Sequence, residues 1–182
     1  MTFEFEELDY QQTPLGNISL RRRSEPRLDG KILYEVKLGD ESLMSGLFTE
    51  AEIQLARLGL AELEGTDLDI VIGGLGQGYT AGAALENPLV RSFIVVEVTE
   101  PVIDWHRQGL VPLGKKLVSD PRCSLVHADF FNVVSSPGTG FDHLDANRLV
   151  HAVRCTWPTK RRAGYSSHFR PALDLVADRT GG

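Results

Sequence analysis

Residues 69–72 (DIVI) run without a break into Gly73-Gly74-Leu75-Gly76-Gln77-Gly78, and this junction constrains the fold more than any other stretch. A continuous apolar strand reads as buried on both faces, the habit of a strand inside a parallel sheet. Glycines directly after it allow a tight turn and a close approach of ligand to backbone. Residues 79–85 follow as a short helix, stopped by Asn87-Pro88. A second apolar strand spans 93–98. Thr99 then stands as N-cap and Pro101 in the first turn of a helix that Pro112 ends or kinks near Leu110. A third strand, residues 123–127, leads into Ala128-Asp129-Phe130-Phe131. Strands alternating with helices make a βαβαβ unit, so the fold class is α/β with a Rossmann-like parallel sheet and right-handed crossovers.

Upstream, residues 15–48 alternate at period two (Ile18, Leu20; Ile32, Tyr34, Val36, Leu38) with turns at 26–30 and at Gly39-Asp40, which predicts an N-terminal antiparallel β-hairpin or meander. Thr49-Glu50-Ala51-Glu52 has the form of a capping box, with Phe48 and Ile53 placed as a hydrophobic staple. Ile53, Ala56, Leu60 and Leu63 then make a helical stripe that Gly65 ends. The chain divides into 1–48, an N-terminal β-hairpin region; 49–142, a Rossmann-like core; and 143–182, a divergent basic tail.

The tail stands apart in composition. Residues 143–182 carry three acidic side chains (Asp145, Asp174, Asp178) and seven basic ones, with no glutamate and no isoleucine; the first 142 residues carry 22 acidic and 12 basic. A shift of that size marks a boundary or a segment of different origin. The formal charge of −6 argues against nucleic acid as the main partner, and Lys160-Arg161-Arg162 reads as a solvated basic patch. No apolar run approaches the roughly 18 residues of a membrane span, and MTFEFEELDY lacks the layout of a secretory signal. Cys123 and Cys155 fit no metal spacing and no disulfide framework, and His106, His127, His143, His151 and His168 show no ligand spacing. The expectation is a cytoplasmic protein without a metal, a membrane or a nucleic-acid partner.

Three features could carry chemistry. Gly74, Gly76 and Gly78 form the turn whose amides, with the dipole of the following helix, would meet a ligand; the alternative is a plain strand-to-helix turn. Glu97, 23 residues after Gly74 at the end of the second strand, can accept ribose hydroxyls; the alternative is a solvated loop acid. Asp129, at the end of the third strand, can accept from an exocyclic amino group while Phe130 offers an apolar face to a purine; the alternative for Asp129 is a helix cap. All three lie at the carboxyl ends of consecutive strands, where such sheets bind ligands. No Ser-His-Asp or Cys-His grouping is readable, so catalytic residues are unknown.

VIGGLGQGYTAGAAL, VVEVTEPVIDWHR and LVHADFF resemble the three successive nucleoside-binding motifs of spermidine synthases, within the S-adenosylmethionine methyltransferase superfamily. The resemblance spans roughly residues 8–142. It implies a small-molecule nucleoside ligand, S-adenosylmethionine or decarboxylated S-adenosylmethionine, and transfer of an aminopropyl or methyl group in a polyamine-type reaction. It further implies that the loop wraps the aminopropyl or amino-acid tail, that Glu97 holds the ribose and that Asp129 holds the adenine amino group. Gly76 stands where spermidine synthases commonly carry an aspartate, which leaves both transfers open. After Phe141-Asp142 the family continues with an apolar fourth strand, whereas residues 143–148 (HLDANR) make a poor strand. The expectation is therefore a domain truncated at its carboxyl end. Its third strand's free side would be covered by the tail or by a homodimer partner. An NAD-dependent oxidoreductase and a catalytically inactive binding protein remain the rival readings.

Overall fold

The computed structural model describes residues 5–63, 65–135 and 149–150. Two four-stranded sheets are built in chain order. The first is an antiparallel meander of β1 (Phe5–Thr13), β2 (Gly16–Glu25), β3 (Lys31–Leu38) and β4 (Glu41–Ser45). After α1 (Glu50–Ala61) come β5 (Leu68–Gly73), α2 (Tyr79–Leu85), β6 (Val90–Glu97), α3 (Glu100–Gln108), α4 (Gly114–Ser119), β7 (Cys123–His127), α5 (Phe130–Ser135) and β8 (Leu149–Val150). The second sheet runs β7-β6-β5-β8, and every pairing in it is parallel.

The meander is larger than a hairpin because β1 pairs along its length with β2. β1 has few apolar residues; what places it is charge. Glu6 and Glu7 accept from Arg22 and Arg21 across the strand pair, at 2.7 and 3.0 Å, the kind of cross-strand pair that favours one register over another. A bulge between Glu7 and Asp9 then turns Asp9 inward, where its Oδ2 accepts from Nε1 of the fully buried Trp105 on α3 at 2.6 Å. Ile18, Leu20 and Val36 of the meander share one core with Ile70, Ile72, Phe93, Val95 and Trp105.

α1 forms where its stripe predicts, with Ala56 and Leu60 buried, but its entry differs from the expectation. Thr49 has helical backbone angles, φ −107° and ψ −7°, and makes no side-chain cap. A capping hydroxyl needs an extended backbone to reach the free amides, so the box does not close. Phe48 is 74% exposed and staples nothing. α2 is buried along Thr80–Ala84 and built of small residues. Its carboxyl end is held by Arg122, whose guanidinium donates to the carbonyls of Leu85 (2.9 Å) and Val90 (3.2 Å) while pairing with Asp120.

The expected absence of a fourth strand is corrected by β8. Leu149 and Val150 pair with Val71 and Ile72, so the continuation lies just beyond the polar residues 143–148 that made it hard to see. It lies beside β5, on the opposite side of the sheet from β7. A fourth strand placed beside β5 is the reversal of strand order that creates a switch point, and it leaves β7 as the outer strand among the described residues. Phe141, Asp142 and the rest of the tail, including Lys160-Arg161-Arg162, His143, His151 and His168, lie outside the described residues.

Candidate nucleoside-binding site

The switch point at β5 puts its carboxyl end, and therefore the glycine-rich turn, at the place where open parallel sheets leave a crevice. Gly74, Gly76 and Gly78 take φ of +86°, +53° and +86°, values that side-chain-bearing residues reach only at a cost. Gly74 is exposed at the strand end, whereas Leu75, Gln77 and Gly78 are buried. The Gly74 amide donates to the carbonyl of Val96 and the Gly78 amide to that of Leu75, both at 2.8 Å. The amides of Gly76 and Gln77 have no hydrogen-bond partner among the described residues.

Glu97 is brought to this turn and is not a solvated loop acid: it is 7% exposed. Its Oε2 accepts from the Leu75 amide at 2.8 Å, and its Oε1 accepts from the amide and hydroxyl of Thr99 at 2.9 and 2.6 Å. A carboxylate offers about four acceptor positions; three are taken, and one remains on Oε2. Thr99 does occupy the N-cap of α3, but it makes no side-chain cap; its hydroxyl is aimed at Glu97, to which it donates.

Asp129 is half-buried after β7, and its Oδ1 accepts from the amides of Phe131 (2.9 Å) and Asn132 (3.3 Å). That is a cap for α5, and it leaves Oδ2 for another donor. Phe130 is turned the other way. At 6% exposure its ring packs with Val71 and Val96 and lies against Gly73, where an added β-carbon would come within 2.8 Å of it. The more exposed ring beside Asp129 is that of Phe131, in edge contact with Phe130 at 5.6 Å between centroids.

Three contributors escaped the sequence reading. Gln77, inside the glycine run, is buried and its Nε2 donates to the Tyr34 carbonyl at 2.8 Å, tying the turn to the meander. Met44 of β4 covers Gly76. His106 is fully buried beneath Gly78; its Nδ1 lies 2.9 Å from the Val102 carbonyl, and burial pulls its pKa below the ordinary histidine value. Gln77 had a signal, a long polar side chain among glycines in an apolar setting; Met44 had none, since its partner is 32 residues away. Burial, and then the charge of Asp120, pushes the Cys123 thiol up to about 12, which keeps it protonated. Among the described residues no group of three potential metal ligands occurs, and no helix is long and apolar enough to cross a membrane.

No protein-family model matches the chain. It is 32% identical over 81 residues to a polyamine aminopropyltransferase of Aeropyrum pernix, a match covering 44% of this chain and 26% of that protein. Solved spermidine synthases share its fold. The spermidine synthase of Thermotoga maritima superposes with a TM-score of 0.55 at 22% identity, over 68% of this chain and 41% of that one. A spermidine synthase in complex with the transition-state analogue AdoDATO also gives 0.55 at 22% identity, over 71% and 41%. The chain thus spans about a quarter of the curated relative and 41% of each solved structure. Over those 81 residues its sequence is similar to a polyamine aminopropyltransferase, and its fold is similar to that of the spermidine synthases.

Proposed function

We propose that this chain binds the nucleoside of S-adenosylmethionine or of its decarboxylated form at the carboxyl ends of β5, β6 and β7, as the donor site of an aminopropyl- or methyltransferase. The observation that carries the reading is the bond from the Leu75 amide to Glu97 Oε2, which joins the glycine turn to the acid proposed to hold the ribose. The residues fit such a donor. Gly74, Gly76 and Gly78 let it approach the backbone, and the amides of Gly76 and Gln77 are available to it. Glu97 Oε2 has one acceptor position for a ribose hydroxyl, and Asp129 Oδ2 has room for the adenine amino group. Phe130 supports the turn from below through Gly73. A sulfonium donor supplies an electrophilic carbon: an acceptor's lone pair forms the new bond as the carbon–sulfur bond breaks, sulfur leaves as a neutral thioether, and an amine acceptor gives up one proton. The chain's own part is to hold and orient the donor, which for a reactive sulfonium is a large share of the work.

The cap geometry of Asp129 makes a clean test available. Asparagine caps a helix about as well as aspartate, so Asp129→Asn keeps α5 while replacing a charged acceptor on the ligand side. Calorimetry should show adenosine and methylthioadenosine weakened by Asp129→Asn about tenfold or more, the scale of a hydrogen bond to a charged group, with inosine unchanged. Equal weakening of both bases would leave Asp129 a cap and nothing else. NAD binding more tightly than methylthioadenosine to the unsubstituted protein would overturn the donor assignment.

A further inference from the structure

Gly76 has open backbone but not open space. A β-carbon built on it would lie 2.7 Å from Sδ of Met44 and nearer still to the Met44 methyl group. Met44 is held by strand pairing with Val36 and packs partly into the core, so its backbone is fixed while its unbranched side chain can adapt. The meander cannot drift away from the turn. The Tyr34 carbonyl accepts from both the Gly46 amide and Gln77 Nε2 at 2.8 Å, clamping the end of β4 to the residue after Gly76. The side chains within the turn do not offset this apolar cover, because Leu75 is apolar and the Gln77 amide group faces the meander. Glu97, the acid bound to the turn, has three of its acceptor positions engaged.

We propose that Met44 is a specificity-determining side chain: its thioether walls the part of the site above Gly76, so that a nucleoside with a short apolar 5′ tail is preferred over one whose tail ends in charge. The proposal rests on the nucleoside-binding reading above. A charged tail pressed against a thioether loses hydration that the thioether cannot restore, whereas a methylthio group packs on it.

The chain has two methionines, Met1 and Met44, so methyl-labelled methionine gives a direct NMR reporter in the full-length protein. Methylthioadenosine should shift the Met44 methyl resonance, and adenosine, which lacks the tail, should shift it far less. By calorimetry the unsubstituted protein should bind methylthioadenosine about tenfold or more tightly than S-adenosylmethionine, the scale of discrimination by a small apolar wall. Met44→Ala should erase most of that ratio, and Met44→Leu, which keeps the apolar bulk, should retain it. Adenosine binding with the same ratio in Met44→Ala overturns the role of Met44 alone. Failure of adenosine and methylthioadenosine to bind the unsubstituted protein overturns the site reading, and Met44's role with it.

Discussion

Replacing Glu97 by alanine should damage the fold before it damages binding, and the size of the effect follows from its bonds. The carboxylate accepts from the Leu75 amide, the Thr99 amide and the Thr99 hydroxyl. Alanine strands two backbone amides in buried residues, each at a cost of about 1–3 kcal/mol. The hydroxyl can rotate to another partner, and release of the carboxylate's own desolvation offsets part of the loss. A net destabilisation of about 3 kcal/mol results, a large part of the roughly 5–15 kcal/mol that holds a domain together. Glu97→Gln has the same volume and can still accept from Thr99, but its amide nitrogen faces the Leu75 amide, donor to donor. It should lose one bond, about 1–3 kcal/mol. Urea unfolding followed by fluorescence of the buried Trp105, in a Trp157→Phe background, measures both. Unchanged slopes with midpoints in the order native, Glu97→Gln, Glu97→Ala are expected. An alanine variant within about 0.5 kcal/mol of native, the range of an inert surface change, would refute the claim that this carboxylate organises the turn.

Gly78→Ala combines a left-handed backbone, about 1–2 kcal/mol, with a β-carbon 2.6 Å from Leu117 Cδ1 and 3.1 Å from His106 Nε2. It should therefore cost about 2–5 kcal/mol in the same urea assay. Gly30→Ala, at φ +76° with nothing within 4 Å, should cost only the backbone part, and equal losses at the two sites would show that Leu117 and His106 do not crowd the turn. His106 is kept neutral by burial, so its folded pKa lies below its unfolded one. As pH falls below about 6.5 the unfolded chain takes up a proton that the folded chain refuses, and stability drops by up to about 1.4 kcal/mol per pH unit. His106→Leu should flatten the stability profile between about pH 6.5 and 5; identical slopes in the two proteins would show that His106 takes no part.

What was legible in the sequence follows from what local patterns encode. The parallel sheet could be read because β5 and β6 carry unbroken apolar runs, Ile70–Ile72 and Phe93–Val96, that end in glycine and acid, and strand period and turn chemistry are short-range signals. β1 could not, because Glu6, Glu7 and Asp9 are poor strand residues; they are placed by Arg21, Arg22 and Trp105, partners 14 to 96 residues away. β8 was hidden for a related reason, since two paired residues show no period. The caps at Thr49 and Thr99 were read by composition alone. In one the backbone angle forbids the bond, and in the other the hydroxyl is oriented toward the buried Glu97 carboxylate and away from the helix amides.

The same long-range contacts bear on how the site is held. The boundary read at residues 48/49 separates two sheets but not two cores, since Ile18, Leu20 and Val36 pack with Ile70 and Ile72. The glycine turn sits where these meet. From one side Glu97 holds Leu75, and from the other the Tyr34 carbonyl holds Gln77, so the two residues flanking Gly76 are each tied to a different sheet. Gly76 itself is left with an unpaired amide and a left-handed backbone, between two fixed points and beneath Met44. A short loop with six soft dihedrals would lose roughly 1–2 kcal/mol per residue of conformational entropy if a ligand had to order it. Here the two anchors have ordered it already, so in the proposed site ligand contacts at Gly76 and Gln77 would add to affinity without having to fold the turn. In the proposed donor site the meander therefore takes part through the Tyr34 carbonyl and the Met44 side chain.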